Sequence, residues 1–181
     1  MNTILCLIGD SGAGKTTLAH YLSFIGVPEI ISHTTRKPRT GEVDGFSYHF
    51  VSHSTFAKIP MVESVEYDHN QYGTSVSEVN DRLKESTTGV ACIVCTYEGY
   101  QAIKDFFKDT YHVLSVFINT SPEHRRERMV KRGDMYEHIE RRMAQNQNDK
   151  MALCDFLISN DGDFPTLHEH AKALLQNIQR A

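Results

Sequence analysis

The chain lacks any apolar run near the roughly 20 residues that cross a bilayer. It also has no internal repeat and no low-complexity tract. Positive charge is not in excess: 19 lysines and arginines stand against 23 aspartates and glutamates, a formal net charge of −4. That balance argues against coating nucleic acid through bulk charge, but leaves room for a local basic pocket. Cysteine is sparse, with Cys6, Cys92, Cys95 and Cys154 alone. Cys92-x-x-Cys95 is half of a zinc motif without its second half. Thiols buried in a reducing compartment are the preferred reading, with a redox pair as the lesser alternative. The apolar stretch from Thr3 to Ile8 is too short for a secretory signal and no basic segment precedes it, so the expected location is the cytoplasm with no membrane association. The 181 residues, 40% hydrophobic and 23% charged, suit one domain with an ordinary core.

Three short apolar runs are present: Ile4 to Ile8, Val90 to Cys95, and Val113 to Ile118, with a weaker fourth at Phe156-Leu157-Ile158. Continuous runs of this length suit strands buried on both faces, as in a parallel sheet covered by helices. Leu18, Leu22 and Ile25 recur at helical spacing after the first run. Ser75 and Glu78 form a capping box ahead of Val76, Val79 and Leu83. Ser121-Pro122-Glu123 is a helix start with proline at the first helical position. Helices are predicted over about 122–131, 135–149 and 165–179. Between Ile31 and Tyr72, Pro38, Gly41, Gly45 and Pro60 break the rhythm, and short alternating pieces such as Phe46 to Val51 predict a small inserted lobe of short strands. Strand and helix otherwise alternate, so the class is α/β.

Gly9-Asp10-Ser11-Gly12-Ala13-Gly14-Lys15-Thr16 fits G-x-x-x-x-G-K-[ST], with a strand-like run before it and a helical pattern after it, as that motif requires. Its glycines let the backbone take φ > 0 and curl round a phosphate. The inward N–H groups and the helix N-terminus of such a loop add positive potential. The predicted donor contacts are Gly9, Ser11, Gly12, Ala13, Gly14, Lys15, Thr16 and Thr17. Lys15 bridges the β- and γ-phosphates of ATP and Thr16 holds Mg²⁺. The fold expected is therefore a P-loop NTPase-type parallel sheet flanked by helices. The motif establishes nucleotide binding without fixing the fate of the phosphate.

The inserted segment carries Ser32-His33-Thr34-Thr35-Arg36-Lys37-Pro38-Arg39-Thr40-Gly41-Glu42-Val43-Asp44-Gly45, followed by Tyr48-His49-Phe50-Val51 and later Asn70-Gln71-Tyr72-Gly73-Thr74-Ser75. Forked guanidinium groups at Arg36 and Arg39 suit a phosphate monoester, although two loop arginines taken alone are more often merely solvated. Together with the phosphate loop, these stretches resemble the guanylate kinase family over nearly the whole chain, more specifically in the first half than in the second. The resemblance implies a core of about 1–31, 85–124 and 150–181, an NMP-binding lobe of about 32–84 and a helical lid region of about 125–149 within one domain, 1–181. It implies that Arg36, Arg39, Tyr48 and Tyr72 hold the acceptor's phosphate and that Ser32, Glu63 and Thr74 read guanine. A carboxylate is apt there because guanine offers two adjacent donors, N1–H and the N2 amine, so a wrong base leaves buried groups unpaired. Glu66 competes with Glu63, and only the spacing to Tyr72-Gly73 favours the latter.

Seven basic residues lie between Arg125 and Arg142. The resemblance assigns catalytic roles at Arg128, Arg132 and Arg142, beside Lys15 and Arg36, around a lid that opens and closes, and Gly133 is a candidate for part of its hinge; arginines near a migrating phosphoryl group stabilise its charge. Arg125, Arg126 and Arg141 are read instead as parts of an exposed charged helix, with Glu127, Asp134, Glu137 and Glu140 available to pair with the bases. The stretch between Arg132 and Arg142 is one residue shorter than the family pattern, so Arg141 competes with Arg142. Asn160 is placed near adenine by the resemblance, and Asn160-Asp161 is equally a good turn.

One family feature is missing. Guanylate kinases carry Asp-x-Asp and then Gln-Gly at the end of the second core strand, where this chain has Cys95-Thr96-Tyr97-Glu98-Gly99. Glu98 is the candidate to take part of that role at the acceptor, with Thr96 or Tyr97 lining the pocket as the alternative. The expected activity is phosphorylation of GMP or dGMP by ATP with Mg²⁺. Its rivals are the same transfer to another (d)NMP and a non-catalytic guanylate-kinase-like binding module, against which the intact phosphate loop argues. The expected partners are small-molecule nucleotides; monomer and homodimer both stay open.

Overall fold

Each continuous apolar run becomes a strand of one parallel sheet. The computed structural model describes residues 1–145 and 147–180; Asn146, within the expected lid region, and Ala181 lie outside them. In chain order the elements are β1 (Thr3–Ile8), α1 (Lys15–Phe24), β2 (His33–Thr34), β3 (His49–Phe50), α2 (His53–Phe56), β4 (Met61–Tyr67), β5 (Asn70–Ser75), α3 (Val76–Glu85), β6 (Val90–Val94), α4 (Tyr97–Phe107), β7 (His112–Asn119), α5 (Pro122–Lys131), α6 (Tyr136–Ala144), a 3-10 segment (Asn148–Leu153), β8 (Phe156–Ser159) and α7 (Phe164–Arg180).

The main sheet has the order β6-β1-β7-β8, all parallel. β1 is buried along its whole length. Because successive side chains of a strand point to opposite faces, Leu5 and Leu7 pack with Leu18 and Leu22 of α1 and Leu167 and Leu174 of α7. Ile4, Cys6 and Ile8 pack on the other face with Val79 and Leu83 of α3 and with Tyr100, Ile103 and Phe107 of α4. Two helical layers thus bury both faces, which is why the strands read as unbroken apolar runs rather than alternating ones. All four cysteines carry free thiols, and Cys6 and Cys92 are buried in this core. No helix among the described residues is long and apolar enough to cross a membrane.

A second sheet, ordered β3-β2-β5-β4, forms from the inserted segment. Its β4–β5 hairpin turns through Asp68 and His69, both at positive φ (51° and 60°). Two consecutive left-handed residues give the turn whose twist matches antiparallel strands, and Asp is among the residues that tolerate it. Strands β2 and β3 have two residues each and are held only by their neighbours.

Ser121 caps as expected, accepting the N–H of His124 with Pro122 just inside, whereas the expected capping box forms only in part: Ser75 accepts the N–H of Glu78, but the Glu78 carboxylate turns to the Ile31 N–H, Arg82 and His49. One expected helix is shorter. The predicted 135–149 helix ends at Ala144, because Gln145 is extended and the N–H of Gln147 leaves the helix to bond the Asp10 carboxylate at 2.7 Å.

Candidate active site

β1 is buried in the sheet, and its end delivers the chain to the phosphate loop. Two of the loop's glycines are required by geometry. Gly12 has φ 80°, and a Cβ there would lie 2.7 Å from the Arg125 carbonyl; Gly14 has φ 98°, and its Cβ would lie 2.3 Å from the Asn160 amide nitrogen. No side chain caps α1 at Gly14, and its first turn carries no acid. The N–H groups that a helix start leaves unpaired therefore face the loop's concavity, where an anion is favoured.

Lys15 folds back across the loop. Its Nζ donates to the carbonyls of Gly9 at 2.5 Å and Asp10 at 2.9 Å. Burial pushes its pKa down from 10.5 to about 8, partly opposed by the Asp10 charge. A lysine so desolvated gains most from an incoming anion.

A cavity of about 740 Å³ opens over the loop. Ser11, Gly12, Gly14, Lys15, Thr16 and Thr17 form one wall and Arg128, Arg132 and Arg142 another, with Phe164 and Leu167 giving an apolar end. Ala13 is buried beneath the loop, and Gly9 lines the neighbouring cavity instead. Arg128 donates to the Asn160 carbonyl at 2.7 Å and lies 3.4 Å from the carbonyls of Gly12 and Ala13. Arg132 and Arg142 converge on Asp134, at 2.5 Å and 2.7 Å from Oδ2. The Arg132 bond holds the Asp134 carboxyl below its ordinary range. Of the competing pair, Arg142 lines the cavity and Arg141 is exposed. Asn160 is buried and its amide donates to the Ala13 carbonyl at 2.7 Å. It braces the loop, and that amide is not free for a base.

A second cavity, about 540 Å³, lies on the other side of the loop, toward the small sheet. Ser11 and Lys15 line both cavities. Ser32, Tyr48, Glu63, Tyr72 and Glu98 come together here, as the sequence reading required. Glu63 lines this cavity, whereas its competitor Glu66 is exposed on β4. Burial raises the Glu63 pKa, opposed by its bond from Thr74 Oγ1 at 2.8 Å. Thr74 is itself fully buried, 3.3 Å from Ser32 Oγ, so it orients Glu63 rather than lining the cavity. Tyr48 and Tyr72 meet edge-on at 6.0 Å. At the end of β6 the wall is Val94, Cys95 and Thr96, in the region where the family resemblance implied two acids; Thr96 caps α4, and Glu98 is exposed at the rim.

Arg36 and Arg39 depart from expectation, because neither lines the cavity. Arg36 is clamped by Glu42 through two bonds of 2.9 Å and stands 5.4 Å from the centre of the Tyr48 ring. Arg39 is exposed, and its backbone N–H also donates to Glu42, at 2.7 Å. Glu42 thus organises this loop, a role the sequence reading did not assign.

Arg125 is a further correction. It is not part of an exposed charged face but 3% exposed, bonded through Nη1 to Asp10 at 2.7 Å and through Nε to the Ser11 carbonyl at 3.0 Å. Its spacing to Met129, the other buried residue of α5, was the available signal, since residues four apart share a helix face. Arg126, by contrast, is exposed and paired with Glu140 as expected.

The donor cavity offers few protein oxygens to a magnesium ion. Thr16 supplies a hydroxyl in the donor cavity. Asp10 is committed to Arg125 and Gln147, and Asp163 to Thr166. Among the described residues no group of three His, Cys, Asp or Glu is arranged to hold a metal. One protein oxygen fits Mg²⁺ arriving with a nucleotide, since that ion keeps phosphate and water as its other ligands.

A family profile described as guanylate kinase matches residues 1–178. A guanylate kinase of Helicobacter hepaticus is 34% identical, over 97% of this chain and 90% of its own length. One of Helicobacter pylori is 37% identical, over 87% and 79%. Among solved structures, the crystal structure of guanylate kinase from Anaplasma phagocytophilum superposes with a TM-score of 0.66 at 25% identity, over 99% of this chain and 85% of that one.

Proposed function

The chain belongs to the guanylate kinase family, and we propose that it transfers the γ-phosphate of ATP to GMP or dGMP, giving ADP and GDP or dGDP. One observation carries this reading: Lys15 and Ser11 form the wall common to two cavities, so the loop that grips a donor's phosphates also faces an acceptor. The enzyme would act on free nucleotides in the cytoplasm.

The residues divide the work. The loop amides and the Lys15 ammonium hold the β- and γ-phosphates, with Lys15 exchanging the Gly9 and Asp10 carbonyls for phosphate oxygens. Thr16 would hold Mg²⁺, which supplies charge neutralisation when bound. Arg128, Arg132 and Arg142 stabilise charge on the phosphoryl group as it moves. Across the shared wall, Tyr48 and Tyr72 hold the acceptor phosphate, joined by Arg36 when it exchanges the Glu42 carboxylate for the phosphate, one anion for another. Glu63, oriented by Thr74, accepts from N1–H and the N2 amine of guanine, with Ser32 beside it. Positioning and charge stabilisation suffice for such a transfer, and neither a covalent enzyme intermediate nor a strong general base is needed.

A second reading, the same transfer to another monophosphate, is favoured by Val94, Cys95 and Thr96, which leave Glu63 and the rim residue Glu98 as the carboxylates on the acceptor side besides the paired Asp10. A coupled ADP-release assay across all common NMPs and dNMPs separates the two. Turnover of GMP or dGMP far above the others is expected. Equal turnover of AMP or dTMP overturns the guanine assignment, and absence of ADP release with every acceptor overturns transfer itself.

A further inference from the structure

Asp10, the second residue of the phosphate loop, ties the loop to both roots of the lid segment. Its Oδ2 accepts from Arg125 Nη1, in the first turns of α5, and its Oδ1 accepts the Gln147 N–H just past the end of α6, each at 2.7 Å. Arg125 also donates from Nε to the Ser11 carbonyl at 3.0 Å. The Gln147 side chain continues the link. Its amide nitrogen lies 3.4 Å from the Gly9 carbonyl, and its oxygen accepts the Tyr97 N–H at 3.3 Å, at the start of α4.

This ion pair is sealed from water, with side-chain exposures of 4% and 5%, and among the described residues Arg125 Nη2 has no hydrogen-bond partner. A buried pair with an unsatisfied donor is a poor route to stability, because apolar residues of similar volume commonly do as well or better. The pair has what an apolar contact lacks: bonds along fixed directions, joining three chain segments at one carboxylate. The backbone of α5 is seated directly on Gly12, where a Cβ would meet the Arg125 carbonyl at 2.7 Å. One turn further along α5, Arg128 reaches over the loop into the donor cavity.

We propose that Asp10, Arg125 and the Gln147 amide form a positioning clamp that holds both roots of the lid to the phosphate loop, so that Arg128, Arg132 and Arg142 face the donor phosphates in register. The inference rests on the phosphoryl-transfer reading above and assigns Asp10 and Arg125 no contact with the reacting atoms.

The test compares Asp10→Asn with the apolar double variant Asp10→Ala/Arg125→Met, measuring Tm, ADP affinity by calorimetry, and kcat with the best monophosphate. Asp10→Asn lowers Tm and kcat together, because it leaves Arg125 buried beside a neutral partner. The double variant regains the parental Tm, yet its kcat stays about 10- to 100-fold low, the size of effect expected from slight misplacement of catalytic groups, and its ADP affinity is weakened. A stable double variant with parental kcat and ADP affinity overturns the clamp. Should the double variant fail to fold, Arg125→Lys keeps the charge beside Asp10 while giving up the bond to Ser11. Reduced kcat at parental Tm then supports the clamp, and parental kcat with parental ADP affinity overturns it. A parent inactive on every monophosphate contradicts the transfer reading alone; the clamp is then judged by ADP affinity, which the double variant weakens if the clamp holds the loop and leaves unchanged if it does not.

Discussion

On the proposed donor side the site is built from main-chain amides and a lysine at the start of α1 folded back on the loop's own carbonyls, whereas the acceptor lobe presents side chains from a small sheet with much of β4 exposed. Ile8, Ala13 and Asn160 around the phosphate loop are all buried, while Val65 and Tyr67 of β4 are 57% and 52% exposed. Lys15 is held by two neutral carbonyls. Arg36 is held by a carboxylate, and so is bound before it is used. That pair is part-buried, with side-chain exposures of 13% and 21%, and the Glu42 bond raises the Arg36 pKa and lowers that of Glu42. Under the proposed transfer, the difference sets where each half is sensitive: donor-side changes are expected to strike the chemical step, and acceptor-side changes binding and base choice.

The largest effect is expected at the wall common to both halves. Lys15→Ala lowers kcat by about 1,000-fold, the scale for removing a principal charge-stabilising donor, with an unchanged circular dichroism spectrum; normal turnover would remove the mechanism. Next comes Arg36→Met, which raises KM for the monophosphate by about 10- to 100-fold, as for losing hydrogen bonds to a charged group, and leaves KM for ATP alone. An equal effect on both nucleotides would erase the division between the halves. Glu63→Gln, keeping the shape but replacing one acceptor with a donor, reduces the preference for GMP over AMP by about tenfold and spares phosphate binding. If KM for GMP does not move, another group reads the base.

A smaller effect comes from pH. Free Lys15 loses its charge as pH rises through about 8, so kcat/KM for ATP falls above that value. The pH profile of kcat, which reports the nucleotide-bound form, falls only at higher pH, because phosphates hold the proton on. Stability runs the other way: the unfolded chain keeps this proton up to about 10.5, so between about 8 and 10.5 the lysine's contribution to stability rises with pH. The smallest change is Asp134→Asn, which loosens Arg132 and Arg142 and reduces kcat about threefold, the scale of a weakened salt bridge.

The same contrast governs what could be read from the sequence. The loop was legible because its geometry admits glycine alone at Gly12 and Gly14, and the sheet was legible because burial on both faces leaves no alternation to misread. The acceptor residues were legible as types through the family resemblance, and Glu63, Tyr48 and Tyr72 do share a cavity. Other features were set by tertiary contacts with no local signature. Arg125 is charged, and charge on a helix ordinarily means solvent; only its register with Met129 pointed inward. The end of α6 is decided by Asp10, far away in sequence. Glu42 was visible as part of a motif, but its hold on Arg36 depends on how the loop folds back. Helix α4 begins where Thr96 accepts the N–H of Gly99, in a stretch read instead for its missing acids.

The most direct measurement is a crystal structure of the protein with a non-hydrolysable ATP analogue, Mg²⁺ and GMP bound together. The expected result has the analogue's β-phosphate in the amides of Gly12 to Thr16 with Lys15 Nζ moved from the Gly9 and Asp10 carbonyls onto it, and the GMP phosphate against Tyr48, Tyr72 and an Arg36 released from Glu42. A loop without phosphate, or GMP bound elsewhere while Arg36 stays on Glu42, would contradict two anion sites facing each other across Lys15.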